Sequence, residues 1–371
     1  MNLMYLRPGA VGGSEVYVRG LAKALAAHVG VPLTAFCSSV MAQTLDATSG
    51  LAPVVLASGN MSPGKRLFAE NWTLSRELAR NRIDVLLSPG NFGPVLLPST
   101  VPQVATVHDL QHARWAKNFS VTKRYARSAL FRGTAWRSRK IIAISDFTRS
   151  ELVDVYSLPE DQVIAVDNGF DAPERPGRDA ITAVRARYGL PDAYAIFPAM
   201  VAPHKNHHLL LRVLERLRAS GQHIPLVFIG SRRERYAAIQ KEAADRHVAG
   251  ALHVLGFVDR AEVFPLIAGA RVLLYPSMYE GFGLPLLEAM HLQVPVVSSD
   301  AACLPAIAGQ AALLAPPTDV EAWCEALVRI WSDESLRAHL IALGRLNVDR
   351  FSWNRCARET LRVLECATSA S

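Results

Sequence analysis

Short apolar runs of strand length alternate with amphipathic segments of helix length from one end of this chain to the other. Strands separated by helices cannot pair as tight hairpins, so each needs a crossover, and crossovers produce parallel sheets covered by helices. The strand candidates are 2–6, 31–37, 53–57, 83–87, 102–107, 140–144 and 162–166, then 193–197, 224–229, 252–255, 271–275, 294–298 and 311–315. The clearest helical stretches are 14–27, 66–80 and a last one at about 353–366. With 371 residues, half of them apolar, the chain exceeds what one core usually supports. The pattern divides into a first Rossmann-like domain over 1–172, a linker over 173–190, a second Rossmann-like domain over 191–350, and a C-terminal helix over 351–371 expected to pack back on the first domain. The linker assignment rests on DAPERPGRDA at 171–180, rich in Pro, Gly and charge and without period. The expected class is α/β, two doubly wound parallel-sheet domains facing across a cleft, with ligand crevices at the carboxyl ends of the strands.

The longest apolar runs, VLLYP at 272–276 and IIAI at 141–144, are far too short to span a bilayer. The start MNLMYLRPG lacks the basic cluster, long apolar stretch and cleavage site of a secretory signal, so a cytoplasmic location is expected. Five scattered cysteines without a CxxC pair fit reduced thiols, with no disulfide and no zinc expected. The net charge of +7 points to an anionic partner. Much of it lies between Arg114 and Lys140, where many cations occur without a carboxylate and Trp115, Phe119, Tyr125, Phe131 and Trp136 interleave with them. Such a segment suits an anionic membrane surface, which would make the protein peripheral on the inner face of the membrane. The competing reading is a solvated helix whose aromatic residues pack inward. No nucleic-acid motif is recognisable, so no nucleic-acid partner is expected.

Three local patterns imitate known sites and fail. GNMSPGKR at 59–66 resembles a phosphate-binding P-loop, but Arg66 stands where Ser or Thr would hold magnesium. HDLQH at 108–112 has the spacing of a zinc protease, yet it follows the strand PQVATV directly, and two histidines four apart share a face only on a helix. The first turn reads GAVGGS and the second strand ends in Phe36-Cys37-Ser38, which supplies neither the glycine pattern nor the acid of a dinucleotide site.

The strongest signal is YPSMYEGFGLPLLEAM at 275–290. A buried strand ends in a short loop bearing Glu280 and the flexible Gly281-Phe282-Gly283, and a helix begins near Pro285, a residue tolerated in a first turn. Glycines there let backbone N–H groups approach a ligand, and a helix N-terminus favours negative charge. Glu288, one turn in, can accept from vicinal hydroxyls. Together these outline a site for ribose, diphosphate and sugar.

At these residues the chain resembles glycosyltransferase family 4, retaining enzymes of GT-B fold. Two glutamates with seven residues between them, around GFG, are that family's hallmark. The resemblance extends to VGGSEVYVRGLAKAL at the start, ATVHDL at 105–110, IIAISDFTRSEL at 141–152, VDNGFD at 166–171, PHKNHHLLL at 203–211, LGFV at 255–258 and VPVVSSD at 294–300. It implies a nucleotide-sugar donor, with Glu288 on the ribose, Glu280 on the transferred sugar, and the backbone of Phe282 and Gly283 near the diphosphate or sugar. It further implies Lys205 on the diphosphate as the leaving group's counter-charge, Gly12 and Gly13 reaching the same diphosphate, and His108 hydrogen-bonding the donor sugar. Transfer would proceed by front-face displacement, without a protein nucleophile, metal or cofactor. The PHKN form suits mannose or rhamnose donors, with a lean to mannose on a GDP carrier. The implied acceptor is a glycan or lipid-linked saccharide of bacterial surface polysaccharide synthesis. The sequence departs from the family at His204, where arginine is usual and where histidine makes the second cation absent or pH-dependent, at Ala306, where glutamate is common, and at Gln293, where glycine is common. Arg232 or Arg233 could supply the missing cation. These departures keep open a second reading, a nucleotide-sugar-binding protein of the same fold without transferase activity. Ser145, Asn168 and Asp171 match family positions but read as structural, Ser145 or Asp146 as a helix cap, and His207 and His208 read as helix surface.

Overall fold

The computed structural model describes residues 1–8, 13–29, 33–45, 50–59, 62–98, 100–115, 120–172, 174–230 and 233–369. The chain forms two compact units, one of Met1–Asp171 with Phe351–Ser371 and one of Ala172–Arg350.

In the first unit, β1 (Leu33–Ser38) pairs in parallel with β2 (Leu51–Ala57), and β3 (Leu86–Ser88), β4 (Gln103–Val107), β5 (Ser138–Ala143) and β6 (Val163–Ala165) form a four-stranded parallel sheet in that order. Residues 1–3 join the two sheets: Phe36 N–H donates to Met1 O, Leu3 N–H to Phe36 O, and Asn2 N–H to Leu87 O, all within 2.9 Å. The strand expected over 2–6 is thereby reduced to a single bridge between Asn2 and Phe36. The Asn2 side chain accepts the Met4 N–H, and Leu6 N–H bonds back to Leu3 O, so the chain curls away before a ladder can form.

The helix Gly13–Val29 buries Tyr17, Val18, Leu21, Ala22 and Leu25, one face at three- and four-residue spacing. Its Gly20 lies so close to Trp353 that a Cβ would stand 2.1 Å from the indole. Trp353 opens the helix Trp353–Ser369, which belongs to this unit and also crowds Gly169.

In the second unit, β7 (Ala195–Pro198), β8 (Leu226–Ile229), β9 (Leu252–Gly256), β10 (Val272–Tyr275), β11 (Val296–Ser299) and β12 (Ala312–Ala315) form one parallel sheet in the order β12-β11-β10-β7-β8-β9. The chain winds outward from β7 through β8 to β9, then returns to β10 beside β7 and winds the other way. That makes the β7–β10 junction, where Val272 opposes Ala195, the switch point at which such sheets bind ligands. β7, β8, β10 and β11 are buried almost throughout, as strands covered on both faces require.

Much of the stretch 173–190 expected as linker is a helix of the second unit, Arg178–Tyr188. Ile181, Val184 and Tyr188 give it a narrow apolar stripe, with Val184 buried. Arg187 and Tyr188 both bond Glu262 on the helix Arg260–Ala268, at 2.6 and 2.7 Å. The charged, glycine-containing composition disguised this stripe.

Candidate active site

The switch point places two loops side by side. The loop after β7 carries a short 3₁₀ turn, Pro203–Lys205, and the loop after β10 carries Tyr279 to Gly283. Backbone pairing ties them together: Met278 N–H donates to His204 O at 2.8 Å, and the Asn206 side chain donates to Pro276 O at 3.2 Å and to Pro317 O at 2.8 Å. Asn206 takes a left-handed conformation (φ 60°), which an Asx residue tolerates and which turns the chain into the helix His207–Ala219.

Within this frame Lys205 Nζ donates to Glu280 Oε1 at 2.5 Å and to the Tyr275 hydroxyl at 3.2 Å, and it lies 5.4 Å from the centroid of the Tyr275 ring. The two charged side chains are only 13 % and 12 % exposed, so their attraction is little screened. Burial, with the nearby Glu280 charge, holds the Tyr275 phenol well above its ordinary range and keeps it neutral. Gly283 caps the helix Leu284–His291 at φ 115°, a conformation closed to other residues, and a Cβ there would stand 2.8 Å from Leu304 Cδ2. The Cys303 thiol donates to Phe282 O at 2.9 Å and approaches Glu280 O at 3.3 Å, which fixes the loop from behind.

Glu288 lies on that helix. Its residue is partly exposed, yet protein packs round the carboxyl, and burial pushes its pKa up to about 7 against a smaller opposing pull from Arg260. Its backbone carbonyl accepts the Leu292 N–H at 3.0 Å. The helix ends in a Schellman motif, with Val294 N–H on Ala289 O and Gln293 N–H on Met290 O. Gln293 occupies its left-handed position at φ 63°, which explains why glycine is the commoner residue there.

Three residues differ from what the sequence implied or add to it, while His208 keeps the helix-surface place expected of it. His204 is buried, and burial with the Lys205 charge lowers its pKa to about 4, so it is neutral near pH 7 and supplies no pH-dependent cation there. His207, expected on the helix surface, is buried among Phe197, Phe228 and Tyr236, whose rings lie 4.7 to 6.0 Å away, because it begins the inward face of its helix. His208 is exposed and pairs with Glu242. Arg260, absent from the sequence reading, is the cation nearest in effect to Glu288. Its signal was its place just after LGFV, at the carboxyl end of β9. Arg232 and the side chain of Arg233 lie outside the described residues, as does Gly12.

In the first unit, His108 follows β4. Its Nε2 lies 2.8 Å from Pro89 O, which fixes the proton on Nε2 and leaves Nδ1 as an acceptor, and its N–H donates to Asn91 Oδ1 at 2.6 Å. Tyr17 meets the imidazole edge-on at 4.9 Å, and burial lowers its pKa, so the ring is neutral. Gly13 opens its helix exposed, with open space where a Cβ would stand. Ser145 caps the helix Asp146–Tyr156 by accepting the Thr148 N–H. The basic segment splits. Arg114 pairs with Glu151 at 2.8 Å, Arg137 bonds the carbonyls of Pro98 and Val101, and Phe131 is buried against Tyr156. In contrast, Tyr125 and Trp136 are 71 % and 81 % exposed, with Lys123 and Arg124 exposed beside Tyr125. Phe119 lies outside the described residues. Among the described residues, no helix is long and apolar enough to cross a membrane.

The sequence matches the family model described as Glycosyltransferase Family 4 over residues 11–173 and the model described as Glycosyl transferases group 1 over residues 182–346. It is 32 % identical over 227 residues to the O-antigen chain mannosyltransferase B of Escherichia coli, covering 60 % of each chain. It is 29 % identical over 282 residues to the MMP alpha-(1->4)-mannosyltransferase of Mycolicibacterium hassiacum, covering 72 % of this chain and 66 % of that one. In both cases the match spans less than two thirds of the relative's length. Among solved structures, a glycosyltransferase from Rickettsia africae superposes with a TM-score of 0.77 at 15 % identity, covering 100 % of this chain and 98 % of that one. Anabaena HepE, solved with UDP and glucose, superposes with a TM-score of 0.75 at 16 % identity over 98 % of each chain. Two parallel-sheet units with these neighbours define the GT-B fold of glycosyltransferases. The chain belongs to glycosyltransferase family 4.

Proposed function

We propose that the chain is a retaining, metal-independent hexosyltransferase that uses a nucleotide-sugar donor, with GDP-mannose the first candidate, and a glycan or lipid-linked acceptor in bacterial surface polysaccharide synthesis. The observation that carries this reading is the grouping of Lys205, Glu280 and Glu288 around the Gly283 helix start at the switch point of one sheet. The names of the two mannosyltransferase relatives support the sugar.

In this reading Glu288 accepts hydrogen bonds from the ribose hydroxyls, and the diphosphate lies against the N-terminus of the helix Leu284–His291 and the Lys205 ammonium. Glu280 turns from Lys205 to the sugar hydroxyls. As the bond from the anomeric carbon to the diphosphate oxygen breaks, negative charge grows on that oxygen, where a fixed cation and backbone N–H groups act most strongly. The acceptor hydroxyl oxygen bonds to the anomeric carbon on the same face, and its proton passes to the departing phosphate oxygen. His108 contributes as a neutral imidazole whose Nδ1 accepts from a hydroxyl. The exposed Lys123, Arg124, Tyr125 and Trp136 are assigned to an anionic membrane surface.

The experiment is a panel of nucleotide sugars, read first by thermal shift and then by transfer to a lipid-linked acceptor with and without EDTA. A ligand of the folded state raises the melting temperature by mass action. GDP-mannose is expected to give the largest shift and EDTA-resistant transfer. Binding without transfer would favour the non-catalytic reading, and EDTA-sensitive transfer restored by Mg²⁺ would remove metal independence.

A further inference from the structure

The first unit contains a cavity of about 210 Å³ whose lining includes Tyr5, Ser14, Arg66, Glu70, His108 and Arg127. We propose that this cavity is an oxyanion site that takes a phosphate group of the acceptor between the guanidinium groups of Arg66 and Arg127. The proposal rests on the glycosyltransferase reading above and names the chemical class of its acceptor.

Three observations support it. The first is charge. Arg66 and Arg127 both line the cavity with Glu70, while the Tyr5 hydroxyl donates to Pro89 O at 2.9 Å and stays neutral, as does His108. The second is Arg66 Nε, which is buried without a hydrogen-bond acceptor among the described residues. It stands 3.7 Å from Glu70 Oε2, beyond hydrogen-bond reach, while Glu70 Oε1 is taken by the Asn2 amide at 3.2 Å. The Arg66 side chain is 32 % exposed and its charge is paired with Glu70, so what is left over is the one buried Nε–H, which a phosphate oxygen would satisfy in the geometry that guanidinium groups favour.

The third is the backbone that builds the wall. Between the helices Pro63–Phe68 and Leu74–Arg80 the chain makes a π-helical turn, Ala69–Thr73, which buries Glu70 and Asn71. Such turns are frequent at functional sites. Asn71 Oδ1 accepts the N–H groups of both Val95 and Leu96, which holds the turn in place. Arg127 also lines the cavity, and its guanidinium lies 5.5 Å over the Phe92 ring, which sets the plane of its donors. Leu67, Phe68, Trp72 and Leu96 are exposed beside this turn, with the rings of Phe68 and Trp72 stacked at 5.2 Å. An apolar surface next to an oxyanion site suits a phosphate carried on a lipid.

The test is calorimetric titration of the full chain, with nucleoside diphosphate kept saturating so that the donor site is filled. The probes are inorganic phosphate and dodecyl phosphate in nonionic micelles. Both are expected to bind the parent, dodecyl phosphate more tightly. Arg66→Gln and Arg127→Gln should each weaken binding about tenfold or more, as the loss of a charge-assisted bond implies, with Arg66→Lys intermediate. Binding of dodecyl phosphate alone supports a lipid-borne phosphate, and equal binding of both supports a soluble one. No phosphate binding by the parent, or parental affinity in both glutamine variants with unchanged thermal unfolding, overturns the proposal. Nucleotide binding in the same titrations separates the two readings: nucleotide bound without phosphate removes only the oxyanion site.

Discussion

Replacing Glu288 with glutamine should stabilise the protein at pH 8 and leave it unchanged near pH 4.5. Burial raises the carboxyl from its ordinary 4.5 to about 7. The folded state therefore holds a proton that the unfolded chain releases, and stability falls as pH rises from about 4.5 to about 7. At 1.36 kcal/mol per pKa unit, the full loss is about 3 kcal/mol. Glutamine is nearly isosteric with the protonated acid and does not titrate, so the variant lacks this loss. Urea unfolding of parent and Glu288→Gln at half-unit steps from pH 4.5 to 8 isolates it, because every other titration is common to both. The expected difference grows with pH and levels off above 7. The same ionised carboxylate is the better acceptor for ribose hydroxyls, so nucleotide affinity of the parent should fall as pH drops from 8 to 6, while that of the variant should be weaker and flat. Parallel stability curves would refute the argument that Glu288 sits in a desolvated site.

Other consequences are open to direct measurement. His207 is buried neutral, its pKa lowered to about 3 by burial and the neighbouring His208. Its stabilising contribution is present above pH 6.5 and lost as pH falls, so at pH 5 the parent should have lost about 2 kcal/mol relative to His207→Phe; equal pH profiles in urea unfolding would contradict this. Gln293→Gly should gain about 1 kcal/mol, since only glycine takes the left-handed position of the Schellman motif without cost. A lower melting temperature for that variant would count against the assignment. Lys123→Gln with Arg124→Gln should reduce sedimentation with anionic vesicles, each basic residue near such a surface contributing about 1 kcal/mol. Equal sedimentation of parent and variant would leave these residues as ordinary surface.

The sheets were legible because buried parallel strands read as apolar runs, and the β7-to-β12 candidates fall on the observed strands within about two residues. The strand at 2–6 was not, because its fate depends on one side chain: Asn2 turns its own polar group onto Met4 N–H, which no periodicity reports. The helix Arg178–Tyr188 was hidden by a stripe too narrow to stand out among its charges. The turn that ends at Gly283 could be read from its glycines alone, but the Lys205–Glu280 bond could not, since it joins residues 75 apart. It follows from β10 lying beside β7, a property of strand order. His207 shows the same limit in reverse. A histidine beginning a helix looks solvent-facing until the rings of β7 and β8 are packed against it.

The most direct test of the catalytic account is Lys205→Ala, assayed for hexose transfer from the nucleotide sugar that binds best, with kcat and KM resolved. Lys205 is proposed to offset the charge that grows on the departing diphosphate, so kcat should fall about 10²- to 10³-fold, the usual effect of removing one preorganised group from a developing oxyanion. The folded state should survive, because the lysine lies in a short turn held by backbone and Asn206 bonds. Transfer by Lys205→Ala at the parental kcat would contradict the account.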